Sequence, residues 1–212
     1  MRQVLLADPE IARIPVQECG EPLVDLREVQ ALRVDPRLAD ADGNYARLRL
    51  GVADRLVTAQ ALLPPGLRLL VVEGYRPMSL QRRYFEAHKD RLRAEHPGRD
   101  EAWFHRQASR YISPPDVAPH VAGAAVDLTM STVDGVELDL GTAVDDTNTD
   151  TCHTDSPRVT REAREYRNAL RAALEATGLV NYPSEWWHWS YGDRYWAYTT
   201  GAGTASYGPL DR

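Results

Sequence analysis

Four residues of this chain have the types and spacing that metal-dependent hydrolysis requires: His120, Asp127, Glu185 and His188. Two imidazoles and one carboxylate can occupy three corners of a zinc tetrahedron and leave the fourth for water. A second carboxylate, three residues from one of these ligands, can take a proton from that water. If the four side chains converge, the sequence predicts a zinc hydrolase.

Taken singly, each of these residues has a second interpretation. Asp127 lies in an apolar, strand-like run, 124–130, where alternation places it on the same face as Ala125 and Thr129. If that face is buried, an ionised carboxylate there needs a cation or hydrogen-bond donors; if it is wet, Asp127 is an ordinary surface residue. His120 precedes Asp127 by an odd number of residues, so the two can converge only if the chain turns, and Gly123 offers that turn.

Glu185 and His188 raise the same question, because a separation of three points side chains to opposite faces of a strand. A bulge, or a strand that begins near Ser184, would let both side chains reach one site. Three tryptophans, at 186, 187 and 189, surround them. They are candidates for an apolar wall that excludes water, and such a wall would raise the pKa of Glu185 toward the range of a general base.

Composition limits the class of protein. A chain of 212 residues fits one domain, 1–212, in which we expect the Pro- and Arg-rich residues 1–43 to wrap the core as extended segments. With 25 basic and 31 acidic residues and no basic run, nucleic acid is not an expected partner. No apolar run approaches the ~18 residues of a membrane span. Asp8 and Pro9 interrupt the apolar N-terminus, so the sequence predicts a cytosolic protein.

The two cysteines, Cys19 and Cys152, are too few for a disulfide scaffold and are expected to be reduced thiols. Cys152 is followed by His153, which allows a Cys/His nucleophile as an alternative. The surrounding residues 141–158 are acidic and Thr-rich, which is typical of an exposed loop and argues against nucleophilic chemistry there.

The patterning predicts an α+β fold in which helices precede and interrupt a small antiparallel sheet. Helices are expected over 45–63, from an N-cap at Ser79 to 95, over 100–112, and from an N-cap at Thr160 to 177. Strands are expected over 68–72, 124–130, 136–140 (after a turn at Asp134-Gly135), 185–191 and 195–199.

Three segments in this order resemble a known family. They are Gly74-Tyr75-Arg76-Pro77, His120 with the run at 123–129, and Glu185-Trp186-Trp187-His188. The chain resembles zinc peptidases that include D-alanyl-D-alanine dipeptidases of the VanX type and related D,D-carboxypeptidases. The resemblance implies a D,D-peptidase or Hedgehog-like fold and one catalytic Zn²⁺ held by His120, Asp127 and His188. It implies Glu185 as the general base and Arg76 as a donor to the developing oxyanion.

For Arg76 the alternative role is a structural salt bridge after a strand. The resemblance also implies that Asp145 binds the free amino group of a dipeptide, with Asp139 and Asp146 as further candidates. The chain departs from the family at Ala118, where the dipeptidases often carry a serine, and this departure leaves the identity of the dipeptide open.

The leading hypothesis is a zinc dipeptidase acting on D-Ala-D-Ala or a similar small dipeptide. One alternative is a carboxypeptidase or endopeptidase acting on peptidoglycan stem peptides. The other is a non-catalytic zinc-binding module of the same fold, against which the presence of both Glu185 and Arg76 argues, since neither is needed merely to hold zinc.

Overall fold

The computed structural model describes residues 4–210, which form seven strands and six α-helices. The strands are β1 (Leu23–Asp25), β2 (Arg33–Val34), β3 (Arg47–Arg49), β4 (Leu67–Glu73), β5 (Ala125–Thr132), β6 (Val180–Asn181) and β7 (His188–Ser190). The helices are α1 (Pro9–Ala12), α2 (Leu50–Leu62), α3 (Met78–Glu95), α4 (Glu101–Ala108), α5 (Arg161–Glu175) and α6 (Arg194–Thr200).

The main sheet has the strand order β2-β4-β5-β7-β6, and β1 pairs with β3 in a separate two-stranded sheet. The predicted α+β class with helices around a small sheet is confirmed. The main sheet is mixed rather than purely antiparallel, because β2 runs parallel to β4 while the other pairs are antiparallel. Parallel neighbours need a crossover connection, and the segment between β2 and β4, which contains α2, provides it.

The core lies around the central strands. β5 is buried along nearly its whole length, so both of its faces are covered. Helices α2 and α5 pack against one another and contribute Leu56, Leu170 and Leu174 to the same apolar cluster as Val126 and Leu128 of β5. Helices α3 and α4 pack as a pair. The central strands that carry Asp127 and His188 are therefore buried.

Several predicted elements differ from the structure. The helix expected from 45 starts at Leu50, because 47–49 form β3 and pair with β1. The segment 195–199 is helical rather than extended, since Asp193 caps α6 by accepting hydrogen bonds from the backbone N–H groups of Tyr195 and Trp196. The helix expected over 100–112 ends at Ala108, and α3 begins at Met78 without a Ser79 cap.

The predicted turn at Asp134-Gly135 is present, but the returning segment 136–140 makes only a single bridge to β5, at Ser131 and Glu137. The physical reason is competition for one strand edge. β7 pairs with the first residues of β5, at 125–127, so the returning chain can reach only the far end of that edge.

The N-terminal segment includes two short strands rather than extended chain alone, and it lies along the C-terminal residues. Gln17 N–H donates to the Ala205 carbonyl, and Cys19 N–H donates to that of Ser206. Residues 1–3 of the predicted wrap lie outside the described residues. The prediction of one domain over 1–212 stays a prediction. Over residues 4–210, no helix combines the length and apolarity that crossing a bilayer requires.

Candidate active site

Asp127 and His188 are brought together by strand register. They are direct cross-strand partners on β5 and β7, and Nδ1 of His188 lies 2.9 Å from Oδ1 of Asp127. Both residues are buried, with 3% of Asp127 and 5% of His188 exposed. The wet-surface interpretation of Asp127 is therefore wrong. Burial alone would raise the pKa of Asp127, but the imidazoles of His120 and His188 hold it well below its usual range.

His120 reaches the same point because the chain turns, as the odd spacing required. It lies in a 3-10 helix, Pro119–Ala122, and Gly123 follows with a φ of 63°, a left-handed conformation that favours glycine. Arg49 fixes this turn, since its Nε donates to the Ala122 carbonyl and its backbone N–H to that of Gly123, each at 2.9 Å. Nδ1 of His120 donates to the Gly74 carbonyl at 2.7 Å, which leaves Nε2 as the free lone pair.

The three side chains form a group that could hold a metal ion. Their ligand atoms all lie within 4.8 Å of one another. Nε2 of His120 is 3.2 Å from Nδ1 of His188 and 3.3 Å from Oδ2 of Asp127. Atoms bound at ~2.0–2.1 Å to a tetrahedral ion are ~3.3 Å apart, so these separations fit zinc geometry. Two imidazoles and a carboxylate are also a donor set that suits Zn²⁺.

The register between β4 and β5 places another carboxylate, that of Glu73, opposite Asp127. The sequence alone did not indicate this pairing. Glu73, at the end of β4, is the direct cross-strand partner of Asp127 and is only 5% exposed. Like charges directly opposite one another destabilise a sheet. Arg76 compensates Glu73 with two hydrogen bonds, from Nε to Oε1 at 2.8 Å and from Nη2 to Oε2. A bound cation would compensate Asp127 in the same way.

The two interpretations of Arg76 are therefore compatible. Its salt bridge with Glu73 exists, and its Nη1 also donates to Oε1 of Gln81 at 2.8 Å. These contacts use three of the five N–H donors of the guanidinium and leave two for a ligand. Arg76 lines the same cavity as His120 and Asp127. Glu73 and Gln81 thus position Arg76. In the sequence, only the i,i+3 spacing of Glu73 and Arg76 indicates such a contact.

Glu185 lies in the turn that precedes β7, with Oε2 at 3.9 Å from Nδ1 of His188. A turn placed just before the strand resolves the odd separation of the two residues. The three tryptophans are buried, and Trp187 lines the cavity beside Glu185. Burial raises the pKa of Glu185 to about 7, and the carboxylates of Asp127 and Asp145 add to this effect. A raised pKa of Glu185 is the effect expected from the sequence, in which the tryptophans form an apolar wall that excludes water.

Asp145 also lines the cavity, whereas Asp139 and Asp146 do not. Asp139 accepts the backbone N–H of Gly141, and Asp146 accepts that of Asn148, so both serve in turns. Asp145 adopts a φ of 67°, a conformation that asparagine and aspartate tolerate better than most residues. The surrounding protein, together with Asp127 and Glu73, raises the pKa of Asp145 to about 6.

All six predicted site residues line one cavity of about 600 Å³, within the range of pockets that bind small molecules. They are Arg76, His120, Asp127, Asp145, Glu185 and His188. Ala118, where the resemblance leads one to expect a serine, is 3% exposed and lines the same cavity. The segment 109–113, after α4, contributes to the wall of the cavity.

Cys152 does not belong to this site. Both cysteines are unpaired, as predicted, but Cys152 is buried rather than in an exposed loop. Its carbonyl accepts the backbone N–H of Trp186, which anchors the loop to the tryptophan wall. Burial raises the pKa of its thiol, which disfavours the thiolate that a nucleophile requires.

The sequence of this chain is similar to those of known proteins. The sequence model of one protein family, described as D-Ala-D-Ala dipeptidase, matches residues 40–201. A relative from Synechocystis sp. (strain ATCC 27184 / PCC 6803 / Kazusa), named D-alanyl-D-alanine dipeptidase, is 31% identical over 87% of this chain and 87% of its own length. A relative of the same name from Escherichia coli (strain K12) is 29% identical over 58% of this chain and 54% of its own length.

Two peptidases are among the solved structures that have a similar fold. One is the vancomycin-resistance D,D-pentapeptidase VanY from a VanB-type cassette, in complex with Zn(II), with 16% identity and a TM-score of 0.46 over 88% of this chain and 89% of that chain. The other is the LD-carboxypeptidase LdcB, with 19% identity and a TM-score of 0.48 over 85% of this chain and 75% of that chain.

The sequence matches, together with a buried site of two imidazoles and one carboxylate, define the class of this protein as a metallopeptidase. Within that class, the chain belongs to the D-Ala-D-Ala dipeptidase family, because the family match covers most of its length.

Proposed function

We propose that this protein is a zinc-dependent dipeptidase that hydrolyses D-Ala-D-Ala or a similar small dipeptide. The observation that carries the proposal is the convergence of His120, Asp127 and His188 on one point of a cavity that also contains a carboxylate with a raised pKa, Glu185. The names of the two curated relatives support the choice of substrate. A cytosolic location and the absence of a nucleic-acid partner remain predictions from the sequence.

His120, Asp127 and His188 are the residues that would hold the metal. A bound Zn²⁺ would supply Lewis acidity and lower the pKa of water toward ~7. Glu185 accepts a proton from the attacking water and returns it to the leaving amine, a task for which burial makes its carboxyl group suitable by raising its pKa. Arg76 uses its two free N–H groups to donate to the carbonyl oxygen as negative charge develops on it. Asp145 pairs with the substrate's ammonium group.

The test uses the full chain loaded with zinc and offers D-Ala-D-Ala, L-Ala-L-Ala, D-Ala-D-Ala-D-Ala and a pentapeptide that ends in D-Ala-D-Ala. Hydrolysis of D-Ala-D-Ala to D-alanine, with little hydrolysis of the other peptides, is the expected result. Cleavage of a pentapeptide but not of the dipeptide would favour a carboxypeptidase instead. If zinc-replete protein hydrolyses none of them, the protein is a binding module and the proposal is wrong.

Replacement of Arg76 by lysine should lower kcat by about 10²–10³-fold, the effect of losing one well-placed oxyanion donor. Lysine keeps the positive charge but cannot reproduce the fork that contacts Glu73 and Gln81 while leaving two N–H groups free. Steady-state kinetics should show a much smaller change in KM. The matched control is Arg83→Lys, an exposed residue of α3 that does not line the cavity. An Arg76→Lys enzyme with unchanged kcat would contradict the assigned role.

Replacement of Asp145 by asparagine should lower kcat/KM for D-Ala-D-Ala by about 10–100-fold, because a charged hydrogen bond is worth about 1.5–3 kcal/mol. Asparagine tolerates the positive φ at this position, so the loop conformation is kept. N-acetyl-D-Ala-D-Ala lacks the ammonium group, and its slow hydrolysis should be unaffected by the change. The neighbouring Asp146→Asn is the control. If Asp146→Asn has the larger effect, the amino group binds elsewhere.

A further inference from the structure

The active-site cavity is lined by groups of opposite charge that come from different parts of the fold. The carboxylates of Asp127, Asp145 and Glu185 come from the sheet and from loops beside it. Two arginines, Arg91 of α3 and Arg110 just after α4, line the helical wall. A ligand that fills the cavity therefore meets negative charge near the metal-binding group and positive charge on the helices.

The two arginines are accessible and lack a carboxylate partner among residues 4–210. Two other cations of α3 are engaged in ion pairs. Arg93 pairs with Asp90 at 2.6 Å and with Glu101 at 2.8 Å. Lys89 pairs with Glu101 at 3.3 Å. The charges of Arg91 and Arg110 thus remain available to an anionic ligand.

Arg91 is also held in position. Its Nη2 donates to Nδ1 of His88 at 3.1 Å, since a guanidinium can only donate. Burial and the nearby Arg91 charge lower the pKa of His88, which favours the neutral imidazole that can accept this bond. The ring of His88 meets the ring of Tyr111 edge-on, with 5.8 Å between centroids. Because Tyr111 directly follows Arg110, this contact links the two arginine-bearing segments.

The cavity has room for more than two alanine residues. Its volume of about 600 Å³ lies in the middle of the range for pockets that bind drug-sized ligands. The small side chain of Ala118 on its wall leaves space where a serine would stand. A dipeptide with a longer side chain on one residue would fill the cavity better than D-Ala-D-Ala.

We propose that Arg91 and Arg110 form a subsite for a negatively charged side chain on the C-terminal residue of the dipeptide. This inference rests on the proposed function, in which Asp145 takes the amino end and leaves the helical wall to the second residue. The enzyme then prefers small dipeptides whose second residue is acidic, such as D-Ala-D-Glu or D-Ala-D-Asp, over neutral dipeptides of the same size.

The experiment compares kcat/KM for D-Ala-D-Glu with that for its neutral isostere D-Ala-D-Gln. The zinc-loaded wild-type enzyme should favour the acidic dipeptide by about 5–10-fold, the effect of one or two partly screened ion pairs. This ratio should fall as ionic strength rises. In Arg91→Gln/Arg110→Gln the ratio should approach one, because the α-carboxylate is common to both dipeptides and cancels from it, and an unchanged Tm and zinc content show that the variant is folded.

The matched control is Arg82→Gln/Arg106→Gln, which removes the same charge from exposed positions of α3 and α4 that do not line the cavity. It should keep the wild-type ratio. Equal rates for D-Ala-D-Glu and D-Ala-D-Gln would overturn this inference alone, as would a charge preference confined to D-Glu-D-Ala over D-Gln-D-Ala. If no dipeptide is hydrolysed, D-Ala-D-Ala included, the proposed function falls and the subsite with it.

Discussion

His188→Ala is expected to abolish both zinc binding and dipeptide hydrolysis. The substitution removes one of three ligands from a buried group whose donor atoms already have the separations of a tetrahedral site. Loss of a residue that only orients a metal ligand usually lowers metal affinity by about 10–100-fold. Loss of the ligand His188 itself should lower zinc affinity by more than this. Metal content after dialysis, measured by mass spectrometry, checks this directly.

Thermal unfolding gives a readout that does not depend on activity. Zinc at 100 times its Kd stabilises a protein by about 2.7 kcal/mol, so the wild-type Tm should rise on zinc addition and that of His188→Ala should not. His153→Ala is the matched control, because His153 is exposed and does not line the cavity. A variant that loses activity yet still binds zinc as tightly as the wild type would remove His188 from the ligand set.

The site could be predicted from the sequence only as a set of motifs. His120 and Asp127 have an odd separation that strand geometry alone would have rejected, and the turn at Gly123 is what allows them to meet. Asp127 and His188 are far apart in the chain, and nothing local indicates that they are cross-strand partners. The resemblance of three ordered motifs to one family supplied this long-range information, which spacing could not.

The contribution of Glu73 shows where sequence reasoning stops. Its importance depends on the register between β4 and β5, which places it opposite Asp127, and no local pattern in the sequence indicates that register. Register sets which carboxylates face one another, and it is fixed by packing across the whole sheet rather than by neighbours in the chain. The same holds for the parallel pairing of β2, since two residues carry too little pattern to predict a partner strand.

Local signals failed where a polar cap competed with β propensity. The aromatic run 195–199 has the composition of a strand, but Asp193 stabilises the first turn of α6 and Gly201 ends the helix. Composition predicts an exposed loop at Cys152, yet this residue is buried in the apolar core and its carbonyl accepts the backbone N–H of Trp186. In both cases the average composition of a segment does not predict the environment of the individual residue.

Glu185→Gln is expected to lower kcat by about 10²–10⁴-fold, the usual contribution of a general base, while leaving zinc in place. Glutamine has nearly the same shape but cannot accept the proton of the attacking water. Burial raises the pKa of Glu185 to about 7, and a cation beside it would lower this value. Because only the ionised carboxylate acts as a base, kcat of the zinc-loaded wild type should fall as pH drops through the pKa that Glu185 has beside the bound cation. The residual activity of the glutamine variant should lack this acidic limb.

Zinc content, kcat and the pH profile together distinguish a general base at Glu185 from a zinc ligand at Glu185. Glu185 is 3.9 Å from the same imidazole nitrogen of His188 that faces Asp127, close enough that ligation is the competing explanation for lost activity. If Glu185→Gln loses zinc together with activity, Glu185 holds the metal and the proton acceptor is another group. If it keeps zinc and full activity, Glu185 has neither role. Glu175→Gln, an exposed carboxylate at the end of α5, should leave zinc content, kcat and the pH profile unchanged. Retained zinc, a large loss of kcat and a missing acidic limb are together the combination that only a general base produces.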